Sequence, residues 1–213
     1  MFFGLTNSPT TFQHFMDSIF TIPIAQGWLK VFMDDMLIIN DGDCQDMVKK
    51  IKIVLQICKE NNLYIKPEKC FFFVEEVEFL GFILKDGTFR MDPVKVEGIT
   101  EWPAPMKLTE LQSFIGFCNF YRRFIPKYSD KCAPLNKLLK KSQPWIWEQE
   151  QQVAFETLKA AYASQLLLLC PDYSAPFRME CDASLYAAGG TLLQDDSNGD
   201  EHPVVYFSKA IIL

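Results

Sequence analysis

"VFMDDMLIIN", residues 31–40, sets two adjacent carboxylates, Asp34 and Asp35, between the apolar runs Val31-Phe32-Met33 and Met36-Leu37-Ile38-Ile39. Apolar runs on either side of a polar pair predict two short strands joined by a tight turn. Asp suits such a turn because its side chain accepts hydrogen bonds from nearby backbone. The same tip also suits a hard divalent cation, since two oxygen donors on rigid strands can hold Mg2+ against phosphate. From these ten residues alone both readings stand.

The flanking sequence is helical on both sides. "SPTTFQHFMDSIF" starts with Ser8 as the expected cap and Pro9 at the first helical position, and aligns Phe12, Phe15, Met16, Ile19 and Phe20 along one face. Met47, Ile51, Val54, Leu55 and Cys58 trace a second amphipathic helix, ending at Asn61-Asn62. Farther on, "CFFFVEEVEFLGFILKDGTFRM" is strand-rich, with Asp86-Gly87 as a hairpin turn. Asp92-Pro93 opens another helix, which "EWPAP" closes, and "LTELQSFIGFCNFYRRFI" forms a longer one expected to end at Pro126. "SQPWIWEQEQQ" reads as a boundary before the helix "QQVAFETLKAAYA". The segments "PFRMECDAS", "AAGGTLLQ" and "HPVVYFSK" then read as three strands.

With 213 residues, 49% of them hydrophobic, the chain can bury one or two cores and is not disordered. Its seven cysteines are widely spaced with no C-x-x-C pair, which argues against a disulfide framework or a zinc site. No apolar run approaches the ~18 residues of a membrane span, so no membrane partner and a cytoplasmic or nuclear location are expected. The net charge of −6 conceals a basic middle: Lys107 to Lys141 holds eight basic residues against two acidic ones.

Taken in order, these stretches resemble the reverse transcriptase and RNase H region of gypsy-type LTR retrotransposons. The resemblance rests on "MFFGLTNSPTTFQ", the Phe32-Met33-Asp34-Asp35 box, "KCFFF", "VEFLGFIL", "DPVKVEGI", "EWPAP", the helix ending "YRRFI", "WIW" with "AFETLK", and finally "CDASLYAAGGTLLQ" with "HPVVYFS". It implies an α+β fold: a partial polymerase palm (residues 1–90), a helical thumb (91–142), and a tether helix with the N-terminal part of an RNase H-like α/β domain (143–213). The implied activity is RNA-directed DNA polymerisation. Its partners would be an RNA or DNA template with primer and deoxynucleoside triphosphates, and its cofactor Mg2+ or Mn2+.

Residue by residue, the resemblance makes Asp34 and Asp35 two of three palm carboxylates that hold metal, and Asp182 the first carboxylate of the RNase H site. Phe3, Gly4, Phe32 and Met33 fall beside the nucleotide, and Gln13 near the template, although a solvent-facing Gln reads as well. Phe79, Leu80 and Gly81 match the element that supports the primer end. Arg122, Arg123, Lys127 and Lys131 form a thumb stripe suited to phosphates, or equally a solvated helix face. Phe32 stands where the family usually has Tyr. Met1 aligns inside the palm and Leu213 precedes the rest of the RNase H domain, so truncation at both ends is expected and both carboxylate sets read as incomplete; remaining polyprotein segments or a second subunit are the further partners implied. An inactive remnant that binds primer-template is the alternative. Asp195 and Asp196 read as turn residues.

Overall fold

The computed structural model describes residues 6–141, 143–164 and 167–211. The chain divides into two compact units between Val74 and Glu75.

The first unit is a hairpin laid on helices. Helix α1 (Ser8–Ile19) begins one residue after its cap, Asn7, with proline in the first turn; the short α2 (Thr21–Ala25) follows. Strands β1 (Leu29–Phe32) and β2 (Asp35–Ile38) pair antiparallel with Phe32 opposite Asp35, leaving Met33 and Asp34 as the loop. Helix α3 (Cys44–Glu60) is capped by Asp43, whose carboxylate accepts the Asp46 backbone N–H at 2.8 Å. Alternation along the strands turns Leu29, Val31, Met36 and Ile38 inward onto Met16, Phe20, Val54 and Cys58. The opposite face carries Lys30, Phe32, Asp35 and Leu37. One face of the hairpin is thus fixed by burial, and the other is presented outward.

The second unit opens with β3 (Glu76–Phe79), β4 (Phe82–Lys85) and β5 (Thr88–Met91), joined by two-residue turns at Leu80-Gly81 and Asp86-Gly87. All four turn residues have positive φ, the geometry that hairpin turns matching strand twist require. Helices α4 (Pro93–Thr100), α5 (Leu108–Phe120), α6 (Tyr128–Leu138) and α7 (Gln149–Ala163) follow, with a 3-10 turn at Arg122–Phe124 between α5 and α6. Strand β6 (Leu168–Leu169) then returns to the edge of β5, giving the order β3-β4-β5-β6. A separate antiparallel sheet, β7 (Arg178–Ala183), β8 (Ala187–Asp195) and β9 (Glu201–Ala210), completes the unit.

One core runs from Met91 through Ile99, Leu111, Phe114, Leu135, Phe155 and Leu158 to Leu168, with Phe82 and Phe89 packed against it. Compactness therefore does not divide at residue 90. Strands 76–91 share the core of the helices after them: Met91 lies in that core, and Phe82 and Phe89 pack their side chains against it.

This core also buries ionisable groups. The Tyr162 hydroxyl donates to the Cys118 carbonyl at 2.7 Å, and burial pushes the Cys132 thiol up to about 11. Burial likewise raises the Cys118 thiol and the Tyr128 and Tyr162 phenols. Unfolded thiols titrate near ~8.5, so above that pH the unfolded chain releases protons that the folded chain keeps. This contribution to stability is whole below the unfolded value and is lost as pH rises toward the folded ones. The thermal midpoint should fall between about pH 9 and pH 11, which melts followed by circular dichroism would show.

Candidate nucleotidyl-transfer site

The Asp34–Asp35 tip is held from below. Met33 occupies the first loop position with φ of 55°, a left-handed conformation that costs a residue other than glycine roughly 1–2 kcal/mol. Its backbone N–H donates to Gln13 Oε1 at 2.6 Å, and Gln13 Nε2 donates to the Val31 carbonyl at 3.3 Å and to Asp17 Oδ1 at 2.8 Å. Gln13, on α1, thereby braces the turn that carries both carboxylates, a role its spacing in the sequence did not reveal.

Replacing Gln13 with Ala removes the acceptor of the Met33 amide and should speed hydrogen exchange at that amide by about tenfold. Gln13→Glu, which keeps an oxygen there, should preserve most of the protection.

Asp34 and Asp35 are both exposed, as is Phe32. Asp35 lies directly opposite Phe32 across the hairpin, so both project from the outer face. Among the described residues, no group of three or more His, Cys, Asp or Glu side chains is arranged to hold a metal ion. The donors at the tip are thus two carboxylates with open solvent around them. That fits Mg2+, which commonly takes one or two carboxylates and fills its remaining positions with water and substrate phosphate. Phe3 and Gly4 lie outside the described residues.

Within the second unit the β3–β4 turn meets the end of α5. The Tyr121 hydroxyl donates to the Gly81 carbonyl at 3.2 Å, and a Cβ added at Gly81 would stand 3.4 Å from that hydroxyl oxygen. Phe82 stacks on Phe120 at 5.6 Å with the rings 7° apart, and the Arg123 guanidinium lies over the Phe82 ring at 5.9 Å. Phe79, Leu80 and Gly81 are thereby brought together with an exposed aromatic, Phe120, and an exposed cation, Arg123. Phe120 was not among the candidate residues; it ends α5, two positions before Arg122 of the basic stripe.

The stripe itself separates. Arg122 and Arg123 are exposed, whereas Lys131 is half-buried and its Nζ donates to the Pro126 carbonyl at 2.5 Å. Burial lowers the Lys131 pKa, with the nearby Lys127 charge adding to the effect. Lys127 is paired with Asp182 at 2.5 Å. Asp195 ends β8, and Asp196 caps the following turn, accepting the Asn198 and Asp200 amides at 2.8 and 3.0 Å.

Comparison with known proteins accounts for both units. Residues 1–84 match the family described as reverse transcriptase (RNA-dependent DNA polymerase), and residues 147–212 match the RNase H-like domain found in reverse transcriptase. The retrovirus-related Pol polyprotein from transposon 412 of Drosophila melanogaster is 38% identical over 209 residues, covering 98% of this chain and 17% of its own length. The chain belongs to the reverse transcriptase region of LTR-retrotransposon Pol polyproteins.

A second relative of this reverse transcriptase segment is the transposon Tf2-3 polyprotein of Schizosaccharomyces pombe, 34% identical over 206 residues, with 97% of the chain and 15% of the polyprotein covered. The segment thus spans about a sixth of the length of these relatives. In fold it is similar to a foamy viral protease-reverse transcriptase solved with double-stranded DNA. The TM-score is 0.84 at 23% identity, covering 100% of this chain and 44% of the viral one. The same viral protein solved with an RNA/DNA hybrid gives 0.81, also at 23% identity, covering 100% of this chain and 28% of the viral one. The α+β architecture expected from the sequence is the one observed.

Proposed function

We propose that this segment contributes the metal-binding hairpin and a nucleic-acid-contacting thumb to RNA-directed DNA synthesis. The carrying observation is the Asp34–Asp35 tip: two exposed carboxylates on a hairpin whose inner face is buried and whose turn is pinned by Gln13. In this reading residues 1–90 act as palm, 91–142 as thumb and 143–213 as the RNase H-like part. Asp34 and Asp35 would hold Mg2+ or Mn2+. When bound, such an ion supplies Lewis-acid stabilisation of charge on the phosphate oxygens.

The chain's own residues supply the rest. The buried face of the hairpin fixes where the carboxylates stand, and the Gln13 brace limits their motion. Phe32 and Met33 flank the tip, where a deoxynucleoside triphosphate would lie. Leu80 and Gly81 present backbone to a primer end, and Arg122 and Arg123 face the phosphates of a primed RNA or DNA template. The solved foamy viral relatives hold double-stranded DNA or an RNA/DNA hybrid, which supports a nucleic-acid partner for this chain. Further polyprotein segments or a second subunit would complete the assembly. Among the described residues no helix is long and apolar enough to cross a membrane.

Primer extension on an RNA template with Mg2+ or Mn2+ tests this reading. Incorporation by the wild-type chain that is lost on Asp34→Asn/Asp35→Asn supports it. A folded chain that incorporates nothing overturns it for this chain in isolation. A second reading, primer-template binding without catalysis, is favoured by one observation: among the described residues, no third acidic, His or Cys side chain joins Asp34 and Asp35 at the tip. Duplex affinity that falls steeply with salt and survives the double substitution would then be the sole activity.

A further inference from the structure

The first turn of α6 is fastened to the RNase H-like sheet by three polar contacts. Lys127 Nζ donates to Asp182 Oδ2 at 2.5 Å, the Ser129 backbone N–H donates to Ser208 Oγ at 3.0 Å, and Ser184 Oγ donates to Asp130 Oδ1 at 2.8 Å. Asp182, Gly189 and Ser208 are successive cross-strand partners, so they form one row across β7, β8 and β9. Gly189 in the middle of that row adds no side chain, and a Cβ there would stand 3.2 Å from the Phe207 carbonyl oxygen. The row is therefore shallow at its centre, and the N-terminal residues of α6 reach both of its ends. Lys127 reaches it from a left-handed backbone with φ of 53°. The Asp182 carboxylate also lies at the N-terminal end of α6, where the helix dipole favours negative charge.

This geometry sets a metal at Asp182 in competition with Lys127. An ammonium 2.5 Å from Oδ2 neutralises the carboxylate and occupies one of its oxygens, so a cation binding there has to displace or tolerate that charge. We infer that Lys127 is the built-in counter-ion of Asp182, latching the RNase H-like sheet to α6 and keeping divalent cations off this carboxylate while the latch is closed. The same contact withholds Lys127 from phosphate. The hydrogen bond and charge of Lys127 hold the Asp182 carboxyl below its usual range, and those of Asp182 raise the lysine in turn. Both side chains are more than half exposed, so the latch is weak and screened by salt, as a reversible contact should be.

The inference is independent of the Asp34–Asp35 reading, and its test removes that site. In the 213-residue chain carrying Asp34→Asn/Asp35→Asn, Mn2+ binding is followed by electron paramagnetic resonance. Lys127→Ala should tighten Mn2+ binding by up to about fivefold, the scale of an exposed ion pair. Adding Asp182→Asn should cancel that gain, and Lys127→Arg, which keeps the cation, should show none. Lys127→Gly suits the left-handed backbone and serves as a second variant should Ala perturb folding. Binding that depends on Asp182 and is equally tight with and without Lys127 would overturn the inference, as would the absence of any gain in folded Lys127→Ala and Lys127→Gly proteins.

Discussion

Asp35→Asn should lower Mg2+-supported nucleotide incorporation on a primed RNA template by about three orders of magnitude or more. A bound metal stabilises transition-state charge by several kcal/mol, and each 1.36 kcal/mol corresponds to about a factor of ten in rate. Asn keeps the shape of Asp but offers a neutral oxygen in place of an anionic one, so the hairpin should lose cation affinity without losing its form. The stability of the fold should scarcely change, because Asp35 projects from the outer face while Leu29, Val31, Met36 and Ile38 do the packing. A substitution at such an exposed site usually stays within about 0.5 kcal/mol. The pair of measurements is therefore diagnostic: incorporation assayed beside urea unfolding followed through Trp28. Loss of activity with an unchanged midpoint assigns Asp35 to the chemistry. Loss of both would mean that the tip is a structural turn. Asp34→Asn should behave alike in activity, although Asp34 sits in the loop itself rather than on a strand.

The features legible in the sequence are those with local causes. Proline in the first turn of α1, the Asp92-Pro93 start of α4, the Asp86-Gly87 turn and the three C-terminal strands all follow from residues within a few positions of one another. The features that were missed depend on contacts between distant residues or on breaks without a strong marker. Strand β6 is only two residues long and exists because β5 offers it an edge about 80 positions earlier in the chain. The run "EFLGFIL" folds back at Leu80-Gly81, although only Gly81 hints at the turn. Helix α5 ends at Phe120 rather than continuing to the proline at 126, because the chain tightens into a 3-10 turn that buries Phe124. The site divides in the same way. The carboxylate tip could be read from residues 31–40 together with the resemblance, whereas the Gln13 brace and the Lys127–Asp182 pair span 20 and 55 positions and leave no periodic trace.

Phe114→Ala should destabilise the second unit by about 3–5 kcal/mol, the usual cost of emptying a buried phenylalanine site. Phe114 is fully buried on α5, 4.6 Å from the Phe155 ring of α7 and 5.8 Å from Trp102, so its loss opens a cavity where three segments converge. The neighbours have little room to collapse into that space. Phe155 is itself fully buried and is also held edge-on by Trp147 at 6.0 Å, and Lys159, whose Nζ lies over the Phe155 ring at 5.1 Å, is tied to the Trp102 carbonyl at 2.8 Å. Domains of this size are typically stable by roughly 5–15 kcal/mol, so such a loss takes a large share of the total. The experiment can also locate the loss. Trp102, Trp145 and Trp147 report on the second unit, whereas Trp28 packs on the separate core built from Met16, Phe20, Leu29, Val54 and Cys58. With single-tryptophan variants, the unfolding midpoint seen through Trp102 or Trp147 should move to lower urea while that seen through Trp28 stays in place. If both midpoints moved together, the two cores would be unfolding as one cooperative unit. The stability of the Asp34–Asp35 hairpin would then depend on the core of the second unit.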